Sequence, residues 1–226
     1  DKFCKVMFLP SETMNLHLPR KRAEMAFKPL PPGFDSNVTP RPPFEDKNSE
    51  PLKLLYVGGI EPTVYNISDL LRIVAGRKDL QLTICCRYPE WQKYGHLYQP
   101  LMSKNIKLAH VHSAELARYY HQSDAFLMLM GYSEYMDFAM PVKFSEAIGY
   151  AVPIVSLNQK EVANYIASRD IGWVLDEISE LDQLLVEIAA NRSMLGAKYE
   201  HLMSHRNQCS WKARAEYVDQ HLATGK

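Results

Sequence analysis

Short apolar runs alternate with longer amphipathic segments along most of the chain, from residue 52 to about residue 208. Short apolar runs are typical of strands buried on both faces, and amphipathic segments are typical of helices that cover a sheet. The alternation therefore predicts an α/β fold, a Rossmann-like parallel sheet with helices on both faces. The predicted strands are 54–57, 80–86, 106–111, 124–130, 153–156 and 172–175, and the predicted helices are 68–75, 89–103, 113–122, one from 141, 160–168 and several within 177–205. Residues 131–140 are interpreted as a long loop.

The first fifty residues do not follow this pattern. A β-like run at 3–9 is followed by a candidate helix start at Ser11, which Pro19 interrupts. Residues 29–51 contain seven prolines and no periodic apolar pattern, as is typical of a linker. We therefore place a domain boundary here, with a linker at 28–51.

A last amphipathic helix is predicted from Ser210 and Trp211 onward. Its apolar stripe is formed by Ala215, Val218 and Leu222. The chain is therefore divided into residues 1–27, the linker at 28–51, a main domain at 52–208 and a terminal helix at 209–226.

Charge and composition narrow the classes of partner. The formal net charge is zero and the sequence pI is about 7.2, so no overall field attracts nucleic acid or an anionic membrane. The densest basic cluster, residues 20–22, is interpreted as a solvated turn or helix end. No apolar run reaches the roughly 18 residues that a membrane span needs. The first residue is not methionine and no signal peptide follows, so we expect a segment of a larger protein.

Cysteine and histidine spacing points to reduced thiols rather than to a metal site. Cys85 and Cys86 are adjacent within a predicted strand, where neighbouring side chains face opposite ways, and Cys4 and Cys209 lie far from them in sequence. The eight histidines are scattered, and no CxxC spacing suggests zinc. We expect a cytoplasmic protein without a metal or a cofactor.

In a parallel sheet, ligands bind at the carboxyl ends of the strands. Gly58 and Gly59 follow the first predicted strand, where they either allow a phosphate to approach the backbone or form a tight turn. Arg87 follows the second strand and either binds a diphosphate or pairs with Glu90. The turn after the third strand contains His112.

The stretch at residues 140–155 carries the strongest chemical signal. Pro141 suits a first helical turn, and the free amides of Val142 and Lys143 then face outward at the positive end of the helix dipole. Lys143 adds a full charge there, and Glu146, on the same helix face, can accept hydrogen bonds from two vicinal hydroxyls. The structural alternative is a capped helix on which Lys143 and Glu146 form only a surface ion pair.

This stretch resembles the donor-binding motif P-x-K-x-x-E-x-x-x-x-G-x-P-V-V of the GT-B glycosyltransferases. Pro141, Lys143 and Glu146 occupy the motif positions, whereas the glycine is displaced. Three further segments resemble the same family in order and spacing: KPLPPGFD at 28–35, LLYVGG at 54–59 and YYHQSDA at 119–125. The resemblance covers residue 28 to the end of the chain.

The resemblance implies the C-terminal, donor-binding domain of a hexosyltransferase that transfers sugar from a UDP- or GDP-sugar without a metal. In the family, this domain works with an N-terminal domain that binds a glycan or lipid-linked acceptor, and the last helix crosses back to that domain. Polysaccharide biosynthesis and peripheral membrane association of the full-length protein are further implications. The implied nucleotide-binding residues are Gly58, Gly59, Arg87, His112 through its main chain, Val142, Lys143 and Glu146. No catalytic residue is assigned.

Two positions depart from the family pattern. Many members carry a second glutamate eight residues before the first, but this chain has Phe138 there, with Asp137 and Glu134 nearby. Many members also carry an arginine and a lysine after the first strand, where this chain has Gly59 and an uncharged residue, Ile60. A catalytically silent nucleotide-sugar-binding relative is therefore one alternative. A dinucleotide-binding oxidoreductase is another, although the glycines do not form G-x-G-x-x-G.

Overall fold

The computed structural model describes residues 5–18, 26–45, 50–112 and 115–223. The eight strands of these residues are β1 (Val6–Leu9), β2 (Ala26–Pro29), β3 (Leu52–Val57), β4 (Leu80–Cys85), β5 (Ile106–Ala109), β6 (Ala125–Met128), β7 (Ile154–Leu157) and β8 (Gly172–Leu175). The nine α-helices of these residues are α1 (Ser68–Val74), α2 (Tyr88–Tyr98), α3 (Leu116–His121), α4 (Glu134–Phe138), α5 (Val142–Gly149), α6 (Lys160–Arg169), α7 (Leu181–Ala190), α8 (Ser193–His205) and α9 (Trp211–Ala223). Short 3-10 helices occupy Thr13–His17, Gln99–Leu101, Ile178–Glu180 and Arg206–Cys209.

The main sheet has six parallel strands in the order β5-β4-β3-β6-β7-β8. The apolar runs form these strands because their side chains can be buried on both faces, and all residues of β6 are buried. The strand order reverses between β3 and β6, where the register places Leu55 beside Phe126. This arrangement confirms the predicted Rossmann-like α/β fold, and it places the topological switch point, where such sheets bind ligands, at the carboxyl ends of β3 and β6.

Helices cover both faces of the sheet, so successive residues of one strand enter different cores. Leu54 and Tyr56 face a core that includes residues of α1 and α7, whereas Leu55 faces a core that includes residues of α5 and α6. The alternation follows from the period of two residues along a strand. The two cores hold the strand ends rigidly, so the loops that leave those ends have fixed positions.

Several predicted boundaries were wrong. The stretch at 131–140, predicted as a loop, contains α4, since Ser133 caps a short helix by accepting a hydrogen bond from the amide of Met136 at 3.3 Å. The helix predicted over 89–103 ends at Tyr98 and continues as one 3-10 turn, and the strand predicted to Val111 ends at Ala109. The predicted cap at Ser113 lies outside the described residues.

The stripe predicted on the last helix is covered only in part, at Val218, which is half-buried. Ala215 is exposed, and Leu222 is 63% exposed. The covered face instead carries Tyr217 and His221, whose rings each lie 6.3 Å from the ring of Phe8 in β1. Aromatic side chains bury more area than alanine, so they decide which face of α9 packs.

The first described residues form a small unit outside the main sheet. β1 and β2 pair in parallel with each other. The 3-10 helix Thr13–His17 contacts α4, and the amide of Thr13 donates to the carboxylate of Glu161 in α6 at 3.1 Å. The Ser11 hydroxyl donates to the carbonyl of Phe138 at 2.7 Å, and the ring of His17 lies 4.8 Å from that of Phe138. The proline-rich segment runs along the main domain, where the guanidinium of Arg41 donates to the carbonyl of Ser123 at 2.9 Å. The division into domains stays a prediction.

The turn from α5 into β7 explains the displaced glycine of the motif. A Cβ at Gly149 would lie 2.5 Å from the ring of Phe34, so close packing requires glycine at that position. Ala151, at the position where the motif has glycine, adopts φ 57°, in the left-handed region. The chain therefore keeps the backbone geometry of the motif with a residue less suited to it.

Candidate functional site

The amino-terminal end of α5 lies at the carboxyl edge of the sheet. Pro141 has extended backbone angles (φ −64°, ψ 142°) and precedes the helix, which begins at Val142, one residue later than predicted. The amide of Phe144 donates to the carbonyl of Pro141 at 3.0 Å. No described residue accepts a hydrogen bond from the amides of Val142 or Lys143. The positive end of the helix dipole is thus open toward Val142, which is 49% exposed.

Lys143 and Glu146 form the charged part of this site. The Lys143 ammonium lies 2.8 Å from each of the two carboxylate oxygens of Glu146. The pair is partly exposed, with 34% of the Lys143 side chain and 23% of the Glu146 side chain accessible. The predicted shared helix face is confirmed. In the free chain, each of these two side chains neutralises the other, so a ligand that uses both must separate them.

Tyr120 lies beneath this ion pair and also contacts Glu146. Its hydroxyl donates to Oε2 of Glu146 at 3.2 Å, and its ring, fully buried, stacks on Tyr150 at 4.5 Å with 11° between the planes. Burial, and then the neighbouring charge of Glu146, raise the pKa of Tyr120 well above its ordinary value. The phenol therefore stays protonated and acts as a hydrogen-bond donor to the carboxylate. Tyr120 was not among the predicted site residues, because only the three-dimensional fold brings α3 against α5.

The Gly58-Gly59 turn lies at the same edge, and two of its main-chain groups, the Gly58 amide and the Gly59 carbonyl, already have partners. The amide of Gly58 donates to the carbonyl of Cys85 at 3.1 Å. The Tyr56 hydroxyl donates to the carbonyl of Gly59 at 2.6 Å, and burial raises the pKa of Tyr56. A Cβ at Gly59 would lie 2.9 Å from the ring of Tyr65. These contacts are those of the tight turn that was the alternative to a phosphate-binding loop.

Arg87 is exposed at the start of α2. Glu90, its alternative partner, uses its carboxylate to accept from the amide of Ile60 at 3.0 Å. Across the described part of the chain, no ion pair engages the guanidinium of Arg87. The charge of Arg87 is therefore available to a ligand at this edge.

His112 is exposed at the end of the β5 segment. Its amide donates to the carboxylate of Glu115 at 3.2 Å, and its carbonyl accepts from the amide of Glu115 at 2.9 Å. The main-chain groups expected to meet a base are thus engaged by Glu115, which the sequence reasoning did not single out. A carbonyl oxygen has a second lone pair, so the carbonyl of His112 can accept one further hydrogen bond.

The structure places an aromatic ring, and no carboxylate, at Phe138, where many members of the family carry the second glutamate. Phe138 ends α4 with its ring against His17 and Tyr135. The neighbouring Asp137 is 5% exposed, and its carboxylate contacts the ammonium of Lys160 at 2.5 Å. The carboxylate nearest to Phe138 in sequence, that of Asp137, is therefore engaged in an ion pair with α6.

The described residues hold neither a cluster of metal-ligating side chains nor a membrane-spanning helix. No group of three or more His, Cys, Asp or Glu side chains among them is arranged to hold a metal ion. No helix within the described ranges is long and apolar enough to cross a membrane. Cys85, Cys86 and Cys209 are free and buried, and burial raises the pKa of Cys85 to about 12. Cys4 lies outside the described residues.

The fold matches that of known glycosyltransferases. The family model described as "Glycosyl transferases group 1" matches residues 51–191, and the chain belongs to this family. The resemblance to the C-terminal domain of GT-B enzymes is thereby confirmed at the level of family and fold. A search of curated proteins finds no significant match.

Solved structures of similar fold are numerous. HepE of Anabaena, solved with UDP-glucose, matches with a TM-score of 0.75 at 11% identity, covering 99% of this chain and 65% of that one. Sucrose-phosphate synthase of Thermosynechococcus elongatus matches with a TM-score of 0.71 at 16% identity, covering 97% of this chain and 57% of that one. WaaG, a glycosyltransferase involved in lipopolysaccharide biosynthesis, matches with a TM-score of 0.70 at 16% identity, covering 97% and 62%. The chain thus spans about three fifths of these proteins, and the likeness concerns the fold.

Proposed function

We propose that this chain is the donor-binding domain of a glycosyltransferase and that it binds a nucleoside diphosphate sugar at the amino-terminal end of α5. Membership of the glycosyl transferases group 1 family supports this proposal, as does the UDP-glucose complex of HepE, which shares the fold. Family membership also favours a transferase over an oxidoreductase, whose glycine fingerprint the Gly58-Gly59 turn lacks.

One observation carries the proposal: open amides, a lysine and a carboxylate meet at one helix end beside the switch point of the sheet. The diphosphate would accept hydrogen bonds from the amides of Val142 and Lys143 and pair with the Lys143 ammonium. Glu146, released from Lys143, would accept from both ribose hydroxyls. The same cationic end would stabilise the charge that develops on the leaving diphosphate, without a metal.

The remaining parts of the site are assigned by position. Arg87, whose charge is available, would contact the diphosphate, and the carbonyl of His112 would accept from the base. Gly58 and Gly59 would bring the backbone close to the ligand, as the compact turn after β3 allows. UDP- and GDP-sugars are the donors we favour.

The acceptor would be a glycan or a lipid-linked sugar, held by an N-terminal domain of which residues 1–27 form the last part. We propose that α9 returns toward that domain, in keeping with its contact to β1. The 226-residue chain alone would then have no transferase activity, because transfer needs donor and acceptor domains to close together. The full-length protein would act in the cytoplasm in polysaccharide biosynthesis, in peripheral contact with a membrane, and without nucleic acid.

Calorimetric titration of the chain with UDP-, GDP- and ADP-sugars, and with NAD as a comparison, tests the proposal. We expect saturable binding of at least one nucleotide sugar and none of NAD. Glu146→Ala should weaken the nucleotide and the bare nucleoside alike, because both present the ribose hydroxyls. If a folded chain binds no member of the panel, the proposed function is wrong.

A catalytically silent binding protein is the second candidate. It is favoured by Phe138 at the position of the second family glutamate and by the burial of Asp137 against Lys160. Both candidates predict nucleotide binding, so binding does not separate them. Turnover of the bound nucleotide sugar by the full-length protein, with release of the nucleoside diphosphate, would exclude the silent relative.

A further inference from the structure

The carboxylate of Glu146 has two kinds of partner. Lys143 contacts both of its oxygens at 2.8 Å from the exposed side of α5. Tyr120 donates to Oε2 at 3.2 Å from the buried side. Within the described ranges, no third side chain donates to this carboxylate.

These two partners respond differently to a nucleotide. Lys143 has a long flexible side chain that is one third exposed, so a diphosphate at the helix end can attract its ammonium. Tyr120 cannot follow, because its ring is fully buried and stacks on Tyr150. Once Lys143 has left, the Tyr120 hydroxyl is the donor that still fixes the carboxylate of Glu146.

We propose that Tyr120 is a positioning residue for the donor site: it holds the carboxylate of Glu146 toward the ribose hydroxyls after Lys143 has moved to the diphosphate. This proposal rests on the proposed function, since it concerns the same site. Tyr120 would occupy only one lone pair of Oε2, which leaves the remaining positions on the two oxygens for the ribose. It would not itself contact the nucleotide.

The arrangement also explains why a phenol is needed beneath Glu146. A phenylalanine would keep the stacking on Tyr150 but would leave the carboxylate without its buried donor. A carboxylate free to rotate loses the fixed geometry that two simultaneous hydrogen bonds to vicinal hydroxyls require. The stacking and the hydrogen bond of Tyr120 can therefore be separated by one substitution.

The test compares Tyr120→Phe with Tyr150→Phe, using UDP and 2′,3′-dideoxy-UDP as probes in calorimetry. Tyr150→Phe is a matched control, because it removes a hydroxyl from the same aromatic stack, and no described residue is hydrogen-bonded to that hydroxyl. We expect Tyr120→Phe to weaken UDP by about tenfold, the loss expected for one hydrogen bond to a charged group. Binding of the dideoxy probe should be unchanged, because it lacks the hydroxyls that Glu146 accepts from. Tyr150→Phe should alter neither affinity.

Each other outcome overturns the proposal. Equal weakening of UDP and the dideoxy probe by Tyr120→Phe would show a structural role, and no weakening of either would show no role. Circular dichroism checks that the variants fold. If the unmodified chain binds none of UDP, GDP and ADP or their sugars, the proposed function itself fails, which is seen before any variant is made. Should GDP or ADP be the ligand, that nucleotide and its dideoxy form replace the two probes.

Discussion

The two halves of the ligand-binding edge present their polar groups differently. On the β3–β4–β5 side, the turn after β3 is closed by the bonds from Tyr56 to the Gly59 carbonyl and from the Ile60 amide to Glu90. On the β6–β7 side, α5 begins with two amides that have no acceptor among the described residues. Beside them, Lys143 and Glu146 neutralise each other's charge. Both halves lie at carboxyl ends of parallel strands, yet only the second places open helix-start amides beside a charged pair. The first offers a ligand the guanidinium of Arg87 and the second lone pair of the His112 carbonyl.

A position at the carboxyl edge of the sheet is therefore not by itself a binding site, because the polar groups there must also be free to contact a ligand. A backbone group already bonded within the fold must lose that bond before it contacts a ligand, which removes most of the gain. An open amide has no such bond to lose, and Lys143 gives up only a partly exposed ion pair with Glu146. The comparison therefore predicts that affinity for a nucleotide resides mainly in α5, whereas substitutions near β3 chiefly change the stability of the fold.

The largest expected effect is on α5. Lys143→Ala should reduce the affinity for UDP by about 1.5 to 3 kcal/mol, because a charge-assisted contact with the diphosphate is lost. Uridine should be affected far less, since it has no phosphate. Lys53→Ala is the matched control: it removes a lysine from an (i, i+3) pair of the same 2.8 Å length at the opposite edge of the sheet. If calorimetry shows that both variants bind UDP as tightly as the unmodified chain, Lys143 and Glu146 form only a surface ion pair.

The fold was largely predictable from sequence, and the site only in part. The apolar runs predicted the strands of the main sheet, because a strand buried on both faces needs apolar side chains at successive positions. The (i, i+3) spacing predicted that Lys143 and Glu146 lie together on one helix face. Tyr120 was not predictable as a partner of Glu146, because that contact joins α3 to α5 through the packing of the core. The contact that closes the turn at Gly59 was equally hidden, because Glu90 reaches the turn from the first turn of α2.

A substitution in the turn after β3 should change stability more than binding. In Gly59→Ala, the added methyl would lie 2.9 Å from the Tyr65 ring and 3.2 Å from the Glu90 carboxylate. Overpacking of this kind costs about 1 to 2 kcal/mol of the free energy of unfolding, measured by urea denaturation. Gly196→Ala is the opposite control: its methyl meets nothing within 4 Å on α8, so it should stabilise the fold by about 0.5 kcal/mol. A stable Gly59→Ala chain with weakened UDP binding would instead make this turn part of the nucleotide site.

A smaller effect is expected at Arg87, an exposed cationic side chain of the first half that has no ion-pair partner within the described ranges. Arg87→Ala should weaken UDP binding by about 1 kcal/mol and leave the free energy of unfolding within about 0.5 kcal/mol, since the side chain is exposed. Arg72→Ala, which removes an exposed arginine from α1, should change neither quantity. If Arg87→Ala and Arg72→Ala bind UDP equally well, the diphosphate is held by α5 alone.

The smallest effect is expected at His112, on the β3–β4–β5 side of the edge, where the expected contact to the ligand uses the main chain. Because the expected contact to the base uses the His112 carbonyl, His112→Ala should change the affinity for UDP by less than about 0.5 kcal/mol. Glu115→Ala should act more strongly, since it removes the carboxylate that accepts from the His112 amide and thereby loosens the loop. Calorimetry of both variants decides the point. A large loss of UDP affinity in His112→Ala with a normal Glu115→Ala would assign the contact to the imidazole ring, and the first half of the edge would then contribute a side chain to base binding.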